Sequence, residues 1–219
     1  MALEKNIPVF KEKLEVSEFD KTMPKIEAPR LFEFSKNKDY IVREIRKHMF
    51  EKGQYLDAEK TAREVKGLFD ELRDVYEINA PVNFVVSNDE NGKETFYSVI
   101  DKIEAKKIED LDLEEQSNAK EGLKKIFTNL FSYYETKNAS GENFLADIPE
   151  IDQYVYGAKK GESVNKWYLI DTDPLYSKDT DSLADSLDAL RDEIESVTEK
   201  YGLDLKDIHN KCEKLLETL

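Results

Sequence analysis

The sequence predicts an α+β fold, with a small antiparallel sheet toward the N-terminus and helices toward the C-terminus. Alternating apolar and polar residues on either side of polar turns, within 31–47 and 82–103, are typical of β-hairpins. Apolar residues at steps of three and four, in 57–78, 113–136 and 183–201, are typical of amphipathic helices. The strand-like segments come first and the long helices follow, which favours two segregated regions.

We therefore predict two domains. Residues 1–104 are expected to form an N-terminal arm and a small sheet lobe with one helix, and residues 105–219 to form a mostly helical lobe. The strands of the first hairpin are expected at 31–34 and 40–45. Asp57 is a plausible N-cap of the first helix, and the Asn91-Gly92 step suits the tight turn of the second hairpin.

The helices of the second half carry two apolar faces. The central helix, 113–136, has an apolar face so wide that it implies burial against more than one partner. The C-terminal helix, 183–201, has a seam at 4-3-4-3-4 spacing, with Asp181 or Ser182 as its expected N-cap. Gly202 ends it and a second helix follows. The seam either packs on the body of the chain or forms a surface for a homodimer or a protein partner.

The stretch from Phe144 to Pro174 is the one whose residues suggest chemistry. Pro149 indicates an irregular turn, and residues 153–156 read as a strand that ends at Gly157. A second strand, 166–170, is expected to pair with it. The hairpin would bring its two acidic ends together.

Four carboxylates flank this hairpin, namely Asp147 and Asp152 before it and Asp171 and Asp173 after it. Converging carboxylates repel each other unless they are solvated, protonated or bridged by a hard cation such as Mg²⁺. The plainer alternative is a surface hairpin with acidic ends. A calcium site that includes Asp179 and Asp181 fails the EF-hand pattern, because the required glycine is missing and the ligand spacing is wrong.

The order Asp147, Asp152, hairpin, Ile170-Asp171 resembles the catalytic segment of the protein kinase-like fold, nearest the aminoglycoside and small-molecule phosphotransferase branch. The resemblance covers about residues 30–175 and implies a small sheet lobe followed by a reduced helical lobe. It implies Asp147 as the base that orients the attacking hydroxyl, and Asp152 and Asp171 as ligands of Mg²⁺ bound with ATP.

The resemblance also implies roles in the first lobe. Arg43, on the expected third strand, would occupy the position of the family's phosphate-binding lysine. Glu64, or else Glu59, on the following helix would pair with it. Residues 101–104 would form the hinge that meets the adenine.

The chain departs from the family pattern at several positions. Leu145-Ala146 replace the usual histidine motif before Asp147, and Asp152 replaces an asparagine. No glycine precedes Gly53, so residues 1–52 cannot supply a glycine-rich phosphate loop. These departures favour a degenerate, non-catalytic kinase fold, a pseudokinase that acts in protein interaction. The alternatives are a Mg²⁺-dependent phosphotransferase that uses Asp147 and Asp171, and an unrelated α+β interaction protein.

Composition bounds the partners of the chain. The 219 residues carry a net charge of −15, which repels the phosphates of nucleic acid and anionic membranes, so neither is an expected partner. Cys212 is the single cysteine, which excludes an internal disulfide. No apolar run approaches the length of about 20 residues that a membrane helix needs. The N-terminus lacks the apolar core of a signal peptide, and a cytoplasmic location is expected.

Overall fold

The computed structural model describes residues 7–10, 16–18, 31–34, 39–45, 57–89, 92–146, 148–171 and 176–219. Ten β-strands and four α-helices lie in these described residues, which confirms the α+β class. The chain divides into two compact units by its internal contacts. The first unit comprises residues within 1–69 and 81–102, and the second comprises residues within 70–80 and 103–219. The domain boundary predicted after residue 104 stays a prediction.

The first unit contains an antiparallel sheet of five strands in the order β1-β2-β3-β5-β4. These strands are β1 (Val16–Glu18), β2 (Leu31–Phe34), β3 (Tyr40–Glu44), β4 (Val82–Asn88) and β5 (Glu94–Asp101). Strands β2 and β3 pair with each other, as do β4 and β5, so both hairpins expected from the alternation are confirmed. Helix α1 (Ala58–Asp74) lies between the third and fourth strands along the chain.

Both faces of the sheet are covered, which explains why six consecutive residues of β5 are buried. On one face Phe84 packs against Phe69 of α1 with ring centroids 5.8 Å apart, and against Phe96 at 6.1 Å. On the other face a cluster of buried residues surrounds Val42 and Val99. A strand buried on both sides has a nearly continuous apolar sequence rather than a clean alternation.

Helix α1 begins where the sequence predicts and ends earlier. The amide of Lys60 donates to Oδ1 of Asp57 at 2.8 Å, which confirms Asp57 as the N-cap. The helix ends at Asp74 rather than near residue 78, because Glu77 adopts a left-handed backbone with φ of 54°. The amide of Ile78 then turns back to the carbonyl of Leu72.

The described part of the N-terminal arm packs on the edge of the sheet. Val9 forms a parallel bridge with Val86 of β4, and the amide of Phe10 donates to the Val86 carbonyl at 2.8 Å. The amide of Val86 donates in turn to the Pro8 carbonyl at 3.0 Å. The arm thus satisfies backbone groups that an edge strand leaves open.

The second unit contains two small antiparallel sheets and three complete helices among its described residues. One sheet has the order β6-β8-β9, formed by β6 (Ile103–Ala105), β8 (Tyr154–Lys159) and β9 (Lys166–Leu169). The other pairs β7 (Phe144–Leu145) with β10 (Tyr176–Ser177). The helices are α2 (Leu113–Ser140), α3 (Thr180–Tyr201) and α4 (Lys206–Leu216).

Two strand predictions differ from the structure for a shared reason. The return strand expected over 94–103 ends at Asp101, and β6 pairs instead with β8. Gly157, expected to end its strand, lies inside β8. A Cβ atom there would lie 2.2 Å from the carbonyl oxygen of Glu104 in β6, so glycine permits the close approach of the two strands.

Helix α2 buries its wide apolar face against β9, α3 and α4, which confirms that the face needs more than one partner. Asp112 caps its start and Gly141, with φ of 63°, ends it. The indole Nε1 of Trp167 on β9 donates to the carbonyl of Ala119 at 2.7 Å. Gly122 makes room for that ring, because a Cβ atom there would lie 3.0 Å from Cδ1 of Trp167.

The apolar seam of α3 is buried within the chain. Its members Leu183, Leu187, Leu190, Ile194 and Val197 are at most 4 % exposed, and Tyr201, the last member, is half-buried. Helix α3 packs on α2 and α4, which confirms the expected packing on the body of the chain. A homodimer or protein partner that binds the 183–201 helix stays a prediction. Among the described residues, no helix is long and apolar enough to cross a membrane.

Candidate functional site

The open end of the β8–β9 hairpin carries two of the predicted site residues. The register pairs Tyr154 with Leu169, and the amide of Ile170 donates to the carbonyl of Gln153 at 2.8 Å. The next residues outward on the two segments are Asp152 and Asp171. Asp152 is exposed in a short 3-10 turn over 151–153, and Asp171 is half-buried. The predicted convergence of these two carboxylates at one end of a hairpin is therefore consistent with the strand register.

Buried tyrosine hydroxyls hold the segment that leads into this hairpin. The amide of Leu145 donates to the hydroxyl of Tyr133 at 2.8 Å, and the hydroxyl of Tyr134 donates to the carbonyl of Leu145 at 3.3 Å. The hydroxyl of Tyr154 donates to the carbonyl of Ile148 at 3.0 Å. The segment has an irregular backbone that is buried on both sides of residue 147, so its polar groups need such partners.

The same burial disfavours the ionised form of these hydroxyls. It raises the pKa of Tyr133, Tyr134 and Tyr154 well above the ordinary value for tyrosine. For Tyr134, the neighbouring tyrosines raise the pKa further, while hydrogen bonds involving Ser186 of α3 and the backbone of Ile148 oppose the shift. Tyr134 thus links α2, α3 and the segment before the hairpin.

Glu193 of α3 lies beside Asp152 and was not singled out by the sequence. Burial raises the pKa of its carboxyl and the charge of Asp152 adds to that rise, whereas a hydrogen bond from the backbone of Ile151 lowers it. Its Oε1 atom is buried and has no hydrogen-bond partner among the described residues. A glutamate between seam positions is normally solvated, so the sequence pattern held no signal for this contact.

Asp179 caps the start of helix α3 through hydrogen bonds of its carboxylate, which accounts for this residue without a bound calcium ion. Its Oδ1 accepts from the amide of Ser182 at 2.8 Å, and Oδ2 accepts from the hydroxyl of Ser182 at 2.8 Å and from that of Ser177. The hydrogen bond from Ser177, followed by the amide of Ser182, lowers the pKa of the Asp179 carboxyl to about 2. Asp179 is the N-cap of α3, so the prediction of Asp181 or Ser182 was wrong.

The predicted residues of the first unit lie on the expected elements. Arg43 lies on β3, opposite Leu31 of β2 and Ser98 of β5, and is half-buried with a buried Nε atom. Glu64 lies on the exposed side of α1. Their mutual ion pair and their role toward phosphate stay predictions, as does the hinge role of residues 101–104.

Asp147 and Asp173 lie outside the described residues, so the predicted base and the fourth acidic residue stay predictions. Within the described residues, no group of three or more histidine, cysteine, aspartate or glutamate side chains could hold a metal ion. Both predicted Mg²⁺ ligands, Asp152 and Asp171, lie within the described residues, and their role toward the metal stays a prediction.

No protein-family model matches the chain, and no curated protein matches it.

Proposed function

We propose that this chain is a kinase-like protein that binds Mg²⁺ and nucleotide phosphates at the open end of the β8–β9 hairpin and transfers a phosphoryl group. The observation that carries the proposal is the position of Asp152 and Asp171 directly beyond the Gln153–Ile170 hydrogen bond. A hairpin that presents one carboxylate on each of its two segments gives a hard cation two oxygen ligands from a rigid support.

The order of elements supports the kinase-like part of the proposal. The first unit has three strands, a helix and two further strands in one antiparallel sheet. The second has a long central helix, a short strand, a loop and a hairpin in that order. The resemblance in sequence implies the same succession, with a cation on the third strand and a metal-binding aspartate after the hairpin.

The number of carboxylates suits Mg²⁺. This ion retains several waters and commonly binds through one or two carboxylates together with substrate phosphates, rather than in a complete cage of protein ligands. Asp152 and Asp171 would contact the ion, and the phosphate oxygens and waters would complete its octahedron. Two carboxylates are therefore sufficient for Mg²⁺–ATP, although they would be too few for a structural calcium site.

The chemistry follows the general course of phosphoryl transfer. Asp147 would accept the proton of an acceptor hydroxyl as that oxygen forms its bond to the γ-phosphorus of ATP. The bond between the γ-phosphorus and the bridging oxygen would break, and ADP would leave with its charge balanced by Mg²⁺. Catalysis here would consist of positioning and charge stabilisation, which the chain would supply through three aspartates.

A second function is favoured by the residues that the family pattern lacks. The absence of glycine from residues 1–52, and Arg43 in place of lysine, weaken the usual binding of the phosphates. A pseudokinase that acts through a protein partner would need neither feature. The two functions differ in one measurable property, which is Mg²⁺-dependent nucleotide affinity.

Calorimetric titration of the full chain with ATP, with and without Mg²⁺, tests the proposal. We expect micromolar affinity that requires Mg²⁺ and that Asp171→Asn weakens by about tenfold or more, because a carboxylate ligand is lost. Asp185→Asn is the matched control, because it removes one carboxylate from an exposed position of α3. It should leave the affinity unchanged.

Two outcomes reject the proposal. Absence of binding up to millimolar Mg²⁺–ATP would reject the nucleotide site and leave the pseudokinase function as the better account. Equal weakening by Asp171→Asn and Asp185→Asn would mean that ATP responds to net charge rather than to a site. If binding is observed, release of ADP in the presence of small hydroxyl acceptors measures the transfer step.

A further inference from the structure

Three tyrosine hydroxyls bind the backbone on the N-terminal side of the candidate Mg²⁺ site. We call Tyr133, Tyr134 and Tyr154 the tyrosine clamp. The rings of Tyr133 and Tyr134 are 5.3 Å apart on α2, and both side chains are fully buried. Tyr154 comes from β8 and is 6 % exposed. A buried hydroxyl has few alternative partners, so each of these bonds fixes the backbone group that it contacts.

The bond from Tyr154 closes a ring around the turn that carries Asp152. Its hydroxyl reaches back six residues to the carbonyl of Ile148, at 3.0 Å. The enclosed segment contains Pro149 and the 3-10 turn, in which the amide of Gln153 donates to the carbonyl of Glu150 at 3.1 Å. One side-chain hydrogen bond therefore sets where the turn begins relative to the strand that follows it.

The other two tyrosines hold the preceding strand. The hydroxyl of Tyr133 accepts from the amide of Leu145 and that of Tyr134 donates to the Leu145 carbonyl, so both backbone groups of one residue are bound by α2. Leu145 also pairs with Tyr176 of β10. The segment is thereby attached to α2 at residue 145 and to β8 at residue 148.

We propose that the tyrosine clamp is a set of positioning residues for the Mg²⁺–nucleotide site, with Tyr154 fixing the turn that bears Asp152 opposite Asp171. This inference rests on the proposed function of that site. Asp152 is exposed, so its own side-chain packing does not hold it in place. The backbone of the turn therefore determines where the Asp152 carboxylate lies. The hydroxyl of Tyr154 ties the end of this turn to Ile148 at its start. Partners that orient a metal ligand commonly contribute tenfold or more to metal affinity.

The test compares Tyr154→Phe with Tyr156→Phe in the full chain. Tyr156 is the next residue on the same face of β8, is also 6 % exposed, and packs against Trp167 with ring centroids 5.5 Å apart. Both variants remove one hydroxyl from one strand. Both variants keep the aromatic ring in place, and Tyr154→Phe in addition removes the hydrogen bond to the Ile148 carbonyl.

Two readouts separate positioning from general stability. Without ligand, deuterium uptake of the peptide spanning residues 145–153 should rise in Tyr154→Phe and stay unchanged in Tyr156→Phe. With Mn²⁺ as a spectroscopic probe in place of Mg²⁺, electron paramagnetic resonance in the presence of ATP should show about tenfold weaker Mn²⁺ binding in Tyr154→Phe. Tyr156→Phe should bind Mn²⁺ as the unmodified chain does.

The outcomes distinguish the two proposals. If the unmodified chain binds Mn²⁺–ATP and Tyr154→Phe binds it equally well, the positioning role is wrong and the proposed function stands. If both tyrosine variants weaken binding equally, the effect is one of stability and the positioning role is again wrong. If the unmodified chain does not bind Mn²⁺–ATP, the proposed function fails and the positioning role fails with it.

Discussion

Replacing Gly157 with alanine tests the close contact between strands β8 and β6. The added Cβ atom would lie 2.2 Å from the carbonyl oxygen of Glu104, 2.9 Å from its carbonyl carbon and 3.0 Å from Cγ2 of Ile103. Two of these three atoms belong to the backbone and cannot rotate away. Strand β6 must therefore move as a whole, or β8 must bend.

The expected cost follows from what that movement disturbs. Overpacking a buried site costs about 1–3 kcal/mol. Strand β6 is held to β8 by a short ladder and by the bond from the Lys106 amide to the Tyr156 carbonyl, and each backbone bond lost adds about 0.5–1.5 kcal/mol. Alanine recovers about 0.4–1 kcal/mol through the lower entropy of the unfolded chain. We expect a net loss of about 2–3 kcal/mol in the free energy of unfolding.

Urea unfolding measures this loss, and Gly67→Ala provides the matched control. Gly67 lies in α1 with nothing within 4 Å of its added Cβ atom. Alanine there should stabilise by about 0.8–1 kcal/mol, since it favours the helix. The single tryptophan, Trp167, lies on the strand next to β8, so its fluorescence reports the second unit, and circular dichroism reports both. A Gly157→Ala variant as stable as the unmodified chain would refute the argument from close approach.

Three further predictions concern buried or capping groups. Lys137, whose side chain is 2 % exposed, is held by Glu71 at 2.8 Å, while the Glu71 side chain is 28 % exposed. Glu71→Met should therefore destabilise more than Lys137→Met, by about 1–2 kcal/mol, because a Glu71 carboxylate without Lys137 can reach water, whereas the buried ammonium without Glu71 is left with the longer contact to Glu142 at 3.5 Å. Asp179→Ala should cost about 1 kcal/mol at neutral pH through loss of the cap on Ser182. Burial raises the pKa of the Cys212 thiol to about 12, so a thiol reagent at pH 8 should label it only as fast as the chain opens.

The contribution of Asp179 also has a defined pH dependence. The folded-state pKa of about 2 is below the ordinary value of 3.8, so the stabilisation is complete above pH 4. It should disappear as the pH falls from about 4 to about 2, and the stability difference between the unmodified chain and Asp179→Ala should narrow over that interval. A difference that is constant down to pH 2 would contradict the cap. Rapid labelling of Cys212 in the folded chain would contradict the prediction for the buried thiol. Equal destabilisation by Glu71→Met and Lys137→Met would contradict the prediction for the buried ion pair.

The elements that the sequence predicted well are those whose signals are local. Asp57 begins α1 and Gly202 ends α3, as expected, because a cap acts within four residues of itself. The hairpins are likewise specified by alternation and by the turn between their strands. The position of Asp152 and Asp171 at one end of the β8–β9 hairpin belongs to this group, since the register follows from the two strands alone.

The features that the sequence did not predict depend on contacts between distant residues. In the sequence, Gly157 predicts the end of a strand. Its actual role depends on the close approach of β6, which lies some fifty residues earlier in the chain. The sequence pattern places Tyr134 on an apolar helix face and Tyr154 in a strand. It holds no signal for the tyrosine clamp, because the partners of the three hydroxyls are backbone groups, which every sequence contains. The contact of Glu193 with the turn at residue 151 likewise needed the packing of α3.

The seam of α3 shows how two local patterns constrain each other. A 4-3-4 spacing establishes that one face is apolar and does not specify what covers it. Helix α2 independently required more than one apolar partner, since its face is too wide for one neighbour. A chain that contains both an apolar seam and an unfilled apolar face can bury each against the other without the entropy cost of association. Packing within the chain therefore costs less free energy than association with a second chain. Leu187 and Leu190 of the seam are accordingly fully buried within the chain.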